Sequence, residues 1–340
     1  MAKYKTKEVT SKTIWEEFVL SRTPKSFLHS WNWGETNVLT GDSIKRLGFF
    51  KNDTLSGVCL MVFQKAKRGR HYLIPGGPIL DWNNKDLVSH AFQSITDEAK
   101  ISRAWFVRMR PELVYTPENL QLVRSLGFQK APMHLHAENT WVLDISKGSE
   151  KILAGMRKNT RYDVRKSLKQ GLKIEKSSDP ADAKHLYKLQ RATIERNKFV
   201  GFSKKLFQAQ VQMFGGDDQA WLYLVKKSNK ILVAAIVIFY GDYVYYHHSG
   251  SSNDARKTGA SYFLQWKIIQ DAKTRGIKFY DMWGATPKGS KKHRFEGPSL
   301  FKKGFGGYRV DWLPAHDLPI SYLYWSTYLF ERFRKIMRRL

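Results

Sequence analysis

Apolar residues along this chain fall into short runs that read as strands and longer stretches at helical spacing. Residues 58–63 form a continuous apolar run, followed by Tyr72, Leu73 and Ile74 and then by the breaking residues Pro75, Gly76, Gly77 and Pro78. Apolar runs of this length between turn signals predict buried strands. Residues 87–100 carry helical periodicity, and Trp105, Phe106 and Val107 begin the next strand. The same order returns later in the chain. Strands are predicted over 231–239 and 243–247, then a break at Ser249, Gly250, Ser251 and Ser252, a helix over 260–275 and a strand over 278–280. Laid over each other without gaps, Glu98 meets Asp271 and Phe106 meets Phe279. A period this long marks a duplicated domain, since solenoid units run about 20–50 residues. Each copy is a β-hairpin, a helix and a further strand, a mixed α/β (α+β) unit.

Other segments fall outside the repeat. A linker is expected at 144–148, and residues 149–169 read as one basic helix that Gly171 ends as a C-cap. Near the C-terminus Tyr322, Trp325, Leu329, Phe333, Ile336 and Leu340 recur at helical spacing, with Arg332, Arg334, Lys335, Arg338 and Arg339 between them. Such a helix can pack its apolar face on the first domain or lie on an anionic membrane surface, and the two are compatible, since it can dock by one face and show arginines on the other.

Composition sharpens the picture. A chain of 340 residues, 42% hydrophobic, is long enough for two domains with their own cores. Intrinsic disorder is excluded, because it combines high charge with few apolar and aromatic residues. The 58 Lys and Arg against 30 Asp and Glu give a net charge of +28, which calls for an anionic partner: a nucleic acid, a membrane surface or a phosphorylated substrate. Cys59 is the single cysteine, so a disulfide framework and a cysteine-built zinc site are excluded. The basic start leads into no apolar h-region, and the apolar stretch 231–240 is about half a membrane span. The expectation is a soluble cytoplasmic protein.

Familiar chemistry is scarce. Gly304, Phe305, Gly306 and Gly307 lack the Lys-Ser/Thr that a phosphate loop needs. His134 and His136 alternate as on a strand and His247 and His248 are adjacent, with no third convergent ligand, so these histidines read as structural and no metal is expected. Three stretches say more. Arg157, Arg161 and Arg165 stand at i, i+4 and i+8, a spacing that stacks guanidinium groups for phosphate on one helix face. Asp281, Met282, Trp283 and Gly284 follow a strand directly. Phe301, Lys302, Lys303, Gly304, Phe305, Gly306 and Gly307 set ammonium groups beside an aromatic ring and a permissive backbone.

At these residues the chain resembles the FemABX aminoacyltransferases, which build peptidoglycan interpeptide bridges. The resemblance runs from Ser30, Trp31, Asn32, Trp33 and Gly34 through residues 139–144 and 156–166. It continues through Thr193 with Arg196, Tyr262 with Trp266, Gly276, and Tyr280 with Asp281, to the 301–307 run. It implies two tandem acetyltransferase-like (GNAT-like) domains with a substrate cleft between them. Domain 1 would be residues 1–145 completed by 312–340, and domain 2 residues 146–311. The family's inserted coiled-coil arm is not expected, since no heptad run stands between Thr193 and Ile231.

The activity implied is transfer of glycine, alanine or serine from an aminoacyl-tRNA to the stem-peptide amine of a precursor, either lipid II or its UDP-linked form. No cofactor, no DNA and a monomer are implied, with peripheral contact at the anionic inner leaflet. Lys302 is the implied oxyanion donor, Lys303 its neighbour toward a tRNA phosphate, and Phe301 a platform for the terminal adenine. Asp281 is a candidate base. Substrate contacts are implied at Trp33, Arg70, Tyr72, Arg108, Arg157, Arg161, Tyr162, Arg165, Arg196, Ser249 and Tyr262. Two departures stand out. Arg110 precedes Pro111 where relatives often carry an acid, and the phosphate-contacting lysine after Gly34 is missing, leaving Arg70, Arg108 or Arg161 as substitutes. An acyl-CoA-dependent N-acyltransferase is the alternative enzyme, although its pyrophosphate-cradling Arg/Gln-x-x-Gly-x-Gly/Ala pattern is absent. A non-catalytic RNA- or membrane-binding protein is the third reading.

Overall fold

The computed structural model describes residues 4–66, 69–197, 201–289 and 296–337. Arg68, residues 290–295 and the tail 338–340 lie outside the described residues, as does the side chain of the expected contact residue Arg196. The chain divides into two compact units, Met1–Glu138 with Asp311–Leu340, and Asn139–Val310. Among the described residues, the strands form one eight-stranded and one seven-stranded sheet.

In the first unit the strand Thr54–Ala66 pairs antiparallel with Ser43–Lys51 and with Gly69–Gly76. Val58 to Val62 are almost wholly buried, because both faces of this strand are covered. Side chains alternate between faces along a strand. Cys59, Met61 and Phe63 meet Leu87, Ala91, Phe92 and Ile95 of the helix Lys85–Ile101 in one core, and the helix Lys12–Leu20 lies against the same strand. That double covering explains a continuous apolar run in place of strict alternation. After the Lys85–Ile101 helix, capped by the Asn84 side chain, the strand Phe106–Pro111 joins Gly69–Gly76 in parallel. On its other side it receives His316–Pro319 from the C-terminal segment, antiparallel.

The second unit repeats this plan. Ala220–Lys227, Lys230–Tyr240 and Tyr243–Ser251 are antiparallel neighbours, and Phe279–Gly284 joins Tyr243–Ser251 in parallel after the helix Ala260–Thr274. Val233, Ala235, Val237 and Phe239 share a core with Ala260, Leu264 and Ile268 of that helix. The helix Ala183–Asn197 lies against Lys230–Tyr240 as well.

Three expectations change. The unit boundary falls at 138/139 and not at 145, because Asn139–Asp144 pairs antiparallel with Phe279–Gly284 and belongs to the second sheet. Asp311 likewise goes with the first unit. The break expected at Ser249 is strand instead, with Ser249, Gly250 and Ser251 opposite Ala235, Ala234 and Val233. Finally, the single helix over 149–169 is two helices, Ser149–Gly155 and Lys158–Ser167. Met156 and Arg157 between them are extended, Met156 is buried, and the Arg157 N–H donates to the Gly304 carbonyl at 2.9 Å. A tertiary hydrogen bond and a core contact thus interrupt a stretch with good local helix propensity.

Candidate active site

The site grows from the end of one strand. Tyr280, Asp281 and Met282 are buried, held between Asn139–Asp144 on one side and Tyr243–Ser251 on the other. Pairing with Asn139–Asp144 slips between Asp281 and Gly284, so the strand bulges there. Bulges bend a strand and re-aim its groups. Trp283 has φ of +62°, a left-handed conformation unusual for a bulky residue. Such backbone costs on the order of 1–3 kcal/mol and persists only where its surroundings impose it. Here the Trp283 N–H donates to Asp281 Oδ1 at 2.6 Å, while its ring meets Tyr245 and His247 edge-on at 6.0 and 4.9 Å.

The bend presents the carbonyls of Trp283 and Gly284 to the helix Glu296–Gly304. Lys302 Nζ donates to both, at 3.1 and 2.5 Å. Burial pulls the Lys302 ammonium down to a pKa of about 8, opposed by the nearby Asp281 carboxylate. Ser299 fastens the same helix by accepting from the Thr286 N–H at 2.8 Å and contacting its hydroxyl, and Arg309 donates to the Thr286 carbonyl at 2.6 Å. Asp281 and Lys302 thus come together, although their sequence positions are far apart. Lys303 goes elsewhere: its ammonium lies 5.6 Å from the Trp141 ring, whose Nε1–H donates to the Gly306 carbonyl.

The glycines of the run have a steric task. Gly307 has φ of +81°, and a Cβ there would come within 2.3 Å of the Val142 carbonyl oxygen; at Gly304 a Cβ would meet Thr160 Oγ1 at 2.2 Å. Gly307→Ala is expected to lose roughly 1–3 kcal/mol through left-handed strain alone, with the clash added. A thermal unfolding midpoint equal to wild type would show that this backbone is not held as described.

Phe301 packs with Phe305 and Tyr262, at centroid distances of 5.2 and 5.0 Å, so its ring is fixed in an aromatic trio. Burial raises the Tyr262 pKa, and Asp163 raises it further. Of the expected arginine stack, Arg157 and Arg165 are exposed, as is Tyr162. Arg161 Nη1 instead donates to the Ala154 carbonyl at 3.1 Å, with longer contacts to Leu153 and Met156, and so closes the end of the preceding helix. The stack fails because Arg157 sits at the N-cap and Arg161 is occupied. Ser249 sits in the sheet, within reach of the Tyr246 hydroxyl.

The expected contacts in the first unit prove mostly structural. Trp33 is buried, its ring edge-on to Phe27 and His136. The Tyr72 hydroxyl donates to Glu98 at 3.0 Å and meets Ser102 at 2.8 Å. Arg108 is buried in an ion triad. Nε and Nη2 donate to the two Asp317 carboxylate oxygens at 2.7 and 2.8 Å, and Nη2 also reaches Glu331 Oε2 at 2.8 Å. An arginine so committed cannot serve a phosphate. Arg70 remains exposed, beside Lys45 and Lys65 in an open groove of about 340 Å³. Arg110, which precedes Pro111, is buried and donates to Glu112 Oε1 at 2.6 Å.

The Trp283 and Gly284 carbonyls, which hold Lys302, carry no mark in the sequence as such. A Trp-Gly pair closing a strand was visible, but the left-handed φ that aims these carbonyls was not.

Comparison with known proteins extends this picture. The FemAB family model matches residues 10–131 and 223–332, parts of both units. The lipid II:glycine glycyltransferase of Staphylococcus aureus (strain MRSA252) is 22% identical over 383 aligned residues, covering 90% of this chain and 91% of that protein. The crystal structure of FemX superposes with a TM-score of 0.81 at 21% identity, covering 93% of this chain and 97% of that one. A tandem GNAT protein from the clavulanic acid biosynthesis pathway shares the fold at a TM-score of 0.59 and 9% identity, over 94% of this chain and 99% of its own. The two copies of hairpin, helix and strand are thus tandem acetyltransferase-like domains. With the model matching stretches that carry both sheets and the 301–307 run, the chain belongs to the FemAB family.

Proposed function

We propose that this chain transfers an amino acid from an aminoacyl-tRNA to the stem-peptide amine of a peptidoglycan precursor. The observation that carries the reading is Lys302, an ammonium fixed by two backbone carbonyls at the end of a bulged strand. Three N–H donors belong to an ammonium, so a third is left for a substrate oxygen. The S. aureus relative named a lipid II:glycine glycyltransferase supports the substrate class.

The chemistry needs little from the protein beyond position and charge. An aminoacyl ester is already activated. The neutral acceptor nitrogen adds to the ester carbonyl carbon, and the carbonyl oxygen takes the electron pair as an oxyanion facing Lys302. Collapse breaks the bond to the ribose oxygen of the tRNA, which leaves with a proton taken from the attacking nitrogen. Positioning two substrates contributes on the order of 7–11 kcal/mol, and one oxyanion donor about 3–4 kcal/mol. Asp281, buried beside this lysine and accepting from the Trp283 N–H, acts as its counter-charge and shapes the turn. Arg157, Arg165 and Lys303 offer cations to tRNA phosphates, and the basic balance of +28 favours such a partner.

The test is incubation of the purified chain with charged tRNAs and either lipid II or the UDP-linked pentapeptide. Product heavier by one aminoacyl residue is expected. Extension in no pairing, together with acylation from an acyl-CoA, would replace this reading by that of an ordinary N-acyltransferase.

A further inference from the structure

The helix Tyr324–Met337 is amphipathic in the reverse of the usual sense. A helix on a protein surface ordinarily turns its apolar stripe inward and its charges to water. Here the residues that face the first unit are Tyr324, Thr327 and Glu331, all buried. Glu331 ends in the ion triad with Arg108 and Asp317, and the Tyr324 hydroxyl donates to Asp317 Oδ2 at 3.1 Å. Polar groups thus bolt the helix down.

The apolar residues look outward. Tyr322, Trp325, Leu329, Phe333, Ile336 and Met337 are exposed, from 48% for Trp325 to 82% for Tyr322. At about 100° per residue, this set occupies one stripe about 120° wide, nearly opposite the buried face. Arg332 stands about 20° beyond one edge of the stripe and Arg334 about 60° beyond the other, and long cationic side chains can reach past an apolar surface toward phosphates. No described helix is long and apolar enough to cross a membrane. This one spans about 21 Å, enough to lie in an interface.

We infer that the outward stripe of Tyr324–Met337, with Tyr322 before it, docks the chain on an anionic phospholipid bilayer. The stripe enters the headgroup region while Arg332 and Arg334 reach toward lipid phosphates. Charge complementarity selects this occupant: a cationic border around an exposed aromatic and aliphatic stripe fits a negatively charged bilayer. A second copy of the chain would bring the same arginines against each other. The inference stands apart from the transfer reaction, because vesicle binding needs neither tRNA nor precursor.

The experiment is cosedimentation of the full chain with vesicles of phosphatidylglycerol and phosphatidylcholine, and with phosphatidylcholine alone. Preference for the anionic vesicles is expected. The triple variant Trp325→Ser, Leu329→Ser, Phe333→Ser should bind them about tenfold or more weakly, with an unchanged thermal unfolding midpoint because all three side chains are exposed. Arg332→Gln with Arg334→Gln should weaken the preference for anionic lipid. Absence of vesicle binding by the wild-type chain would overturn the inference, as would equal binding by the serine variant. A dimer in sedimentation that the serine substitutions dissociate, without any change in vesicle binding, would assign the stripe to a second copy instead.

Discussion

Replacing Lys302 by methionine should lower kcat about 10²- to 10³-fold, the loss typical of one oxyanion donor, while the thermal unfolding midpoint stays within a few degrees. The reason lies in the two carbonyls that hold the ammonium and the partial burial that strengthens its attraction to an oxyanion. Its pH dependence follows. With a pKa lowered to about 8, Lys302 is protonated below that value and neutral above it. An oxyanion donor works in the protonated form, so its contribution declines as pH rises through about 8. The acceptor amine must itself be neutral, and that pulls the rate the other way. The ratio of wild-type to Lys302→Arg rates cancels the acceptor's titration and should fall with rising pH, because arginine keeps its charge throughout. A ratio that climbs through pH 8 would make Lys302 a base. Full activity in the methionine variant would remove it from the reaction.

Substituting Arg108 by methionine should destabilise the first unit by about 3–5 kcal/mol, the range for breaking a buried ion pair from one side. Asp317 is fully buried and Glu331 nearly so, and without the guanidinium two carboxylates would face each other in the interior. Adding Asp317→Asn and Glu331→Gln should recover much of the loss, since no charge is then left unpaired. Urea unfolding followed on the first unit's own transition measures this, because two units need not unfold as one. A loss below about 1 kcal/mol in the single variant would mean the triad is exposed to water.

These two residues show what could be read from the primary structure. The run around Lys302 stood out because aromatic, lysine and glycine residues are adjacent in the chain, whereas the two carbonyls that hold its ammonium come from residues 283 and 284. Arg108, one of three arginines offered for a phosphate, is committed instead to Asp317 and Glu331, which lie more than two hundred residues away. Arg161 failed for a nearer cause: the chain bends at Met156 and Arg157, so a guanidinium expected in a stack closes the previous helix. Tyr72 and Trp33, expected as substrate contacts, are buried in the framework of the first unit.

The C-terminal helix makes the same point about faces. Periodicity established that apolar residues share one side, and left open whether that side meets the first unit or a membrane surface. Its outward orientation is set by the Glu331 and Tyr324 contacts with Arg108 and Asp317.

Local order in the chain was therefore enough for the duplicated hairpin, helix and strand, for a chain of two units, and for the 301–307 run, because strand and helix periods are short-range properties. Long-range pairing decided the rest. It placed Asn139–Asp144 in the second sheet and His316–Pro319 in the first, and turned Trp283 into a left-handed bend that aims two carbonyls at Lys302. The physical reason is that a hydrogen-bond ladder or a buried ion pair forms between segments whose separation along the chain carries no periodic signal.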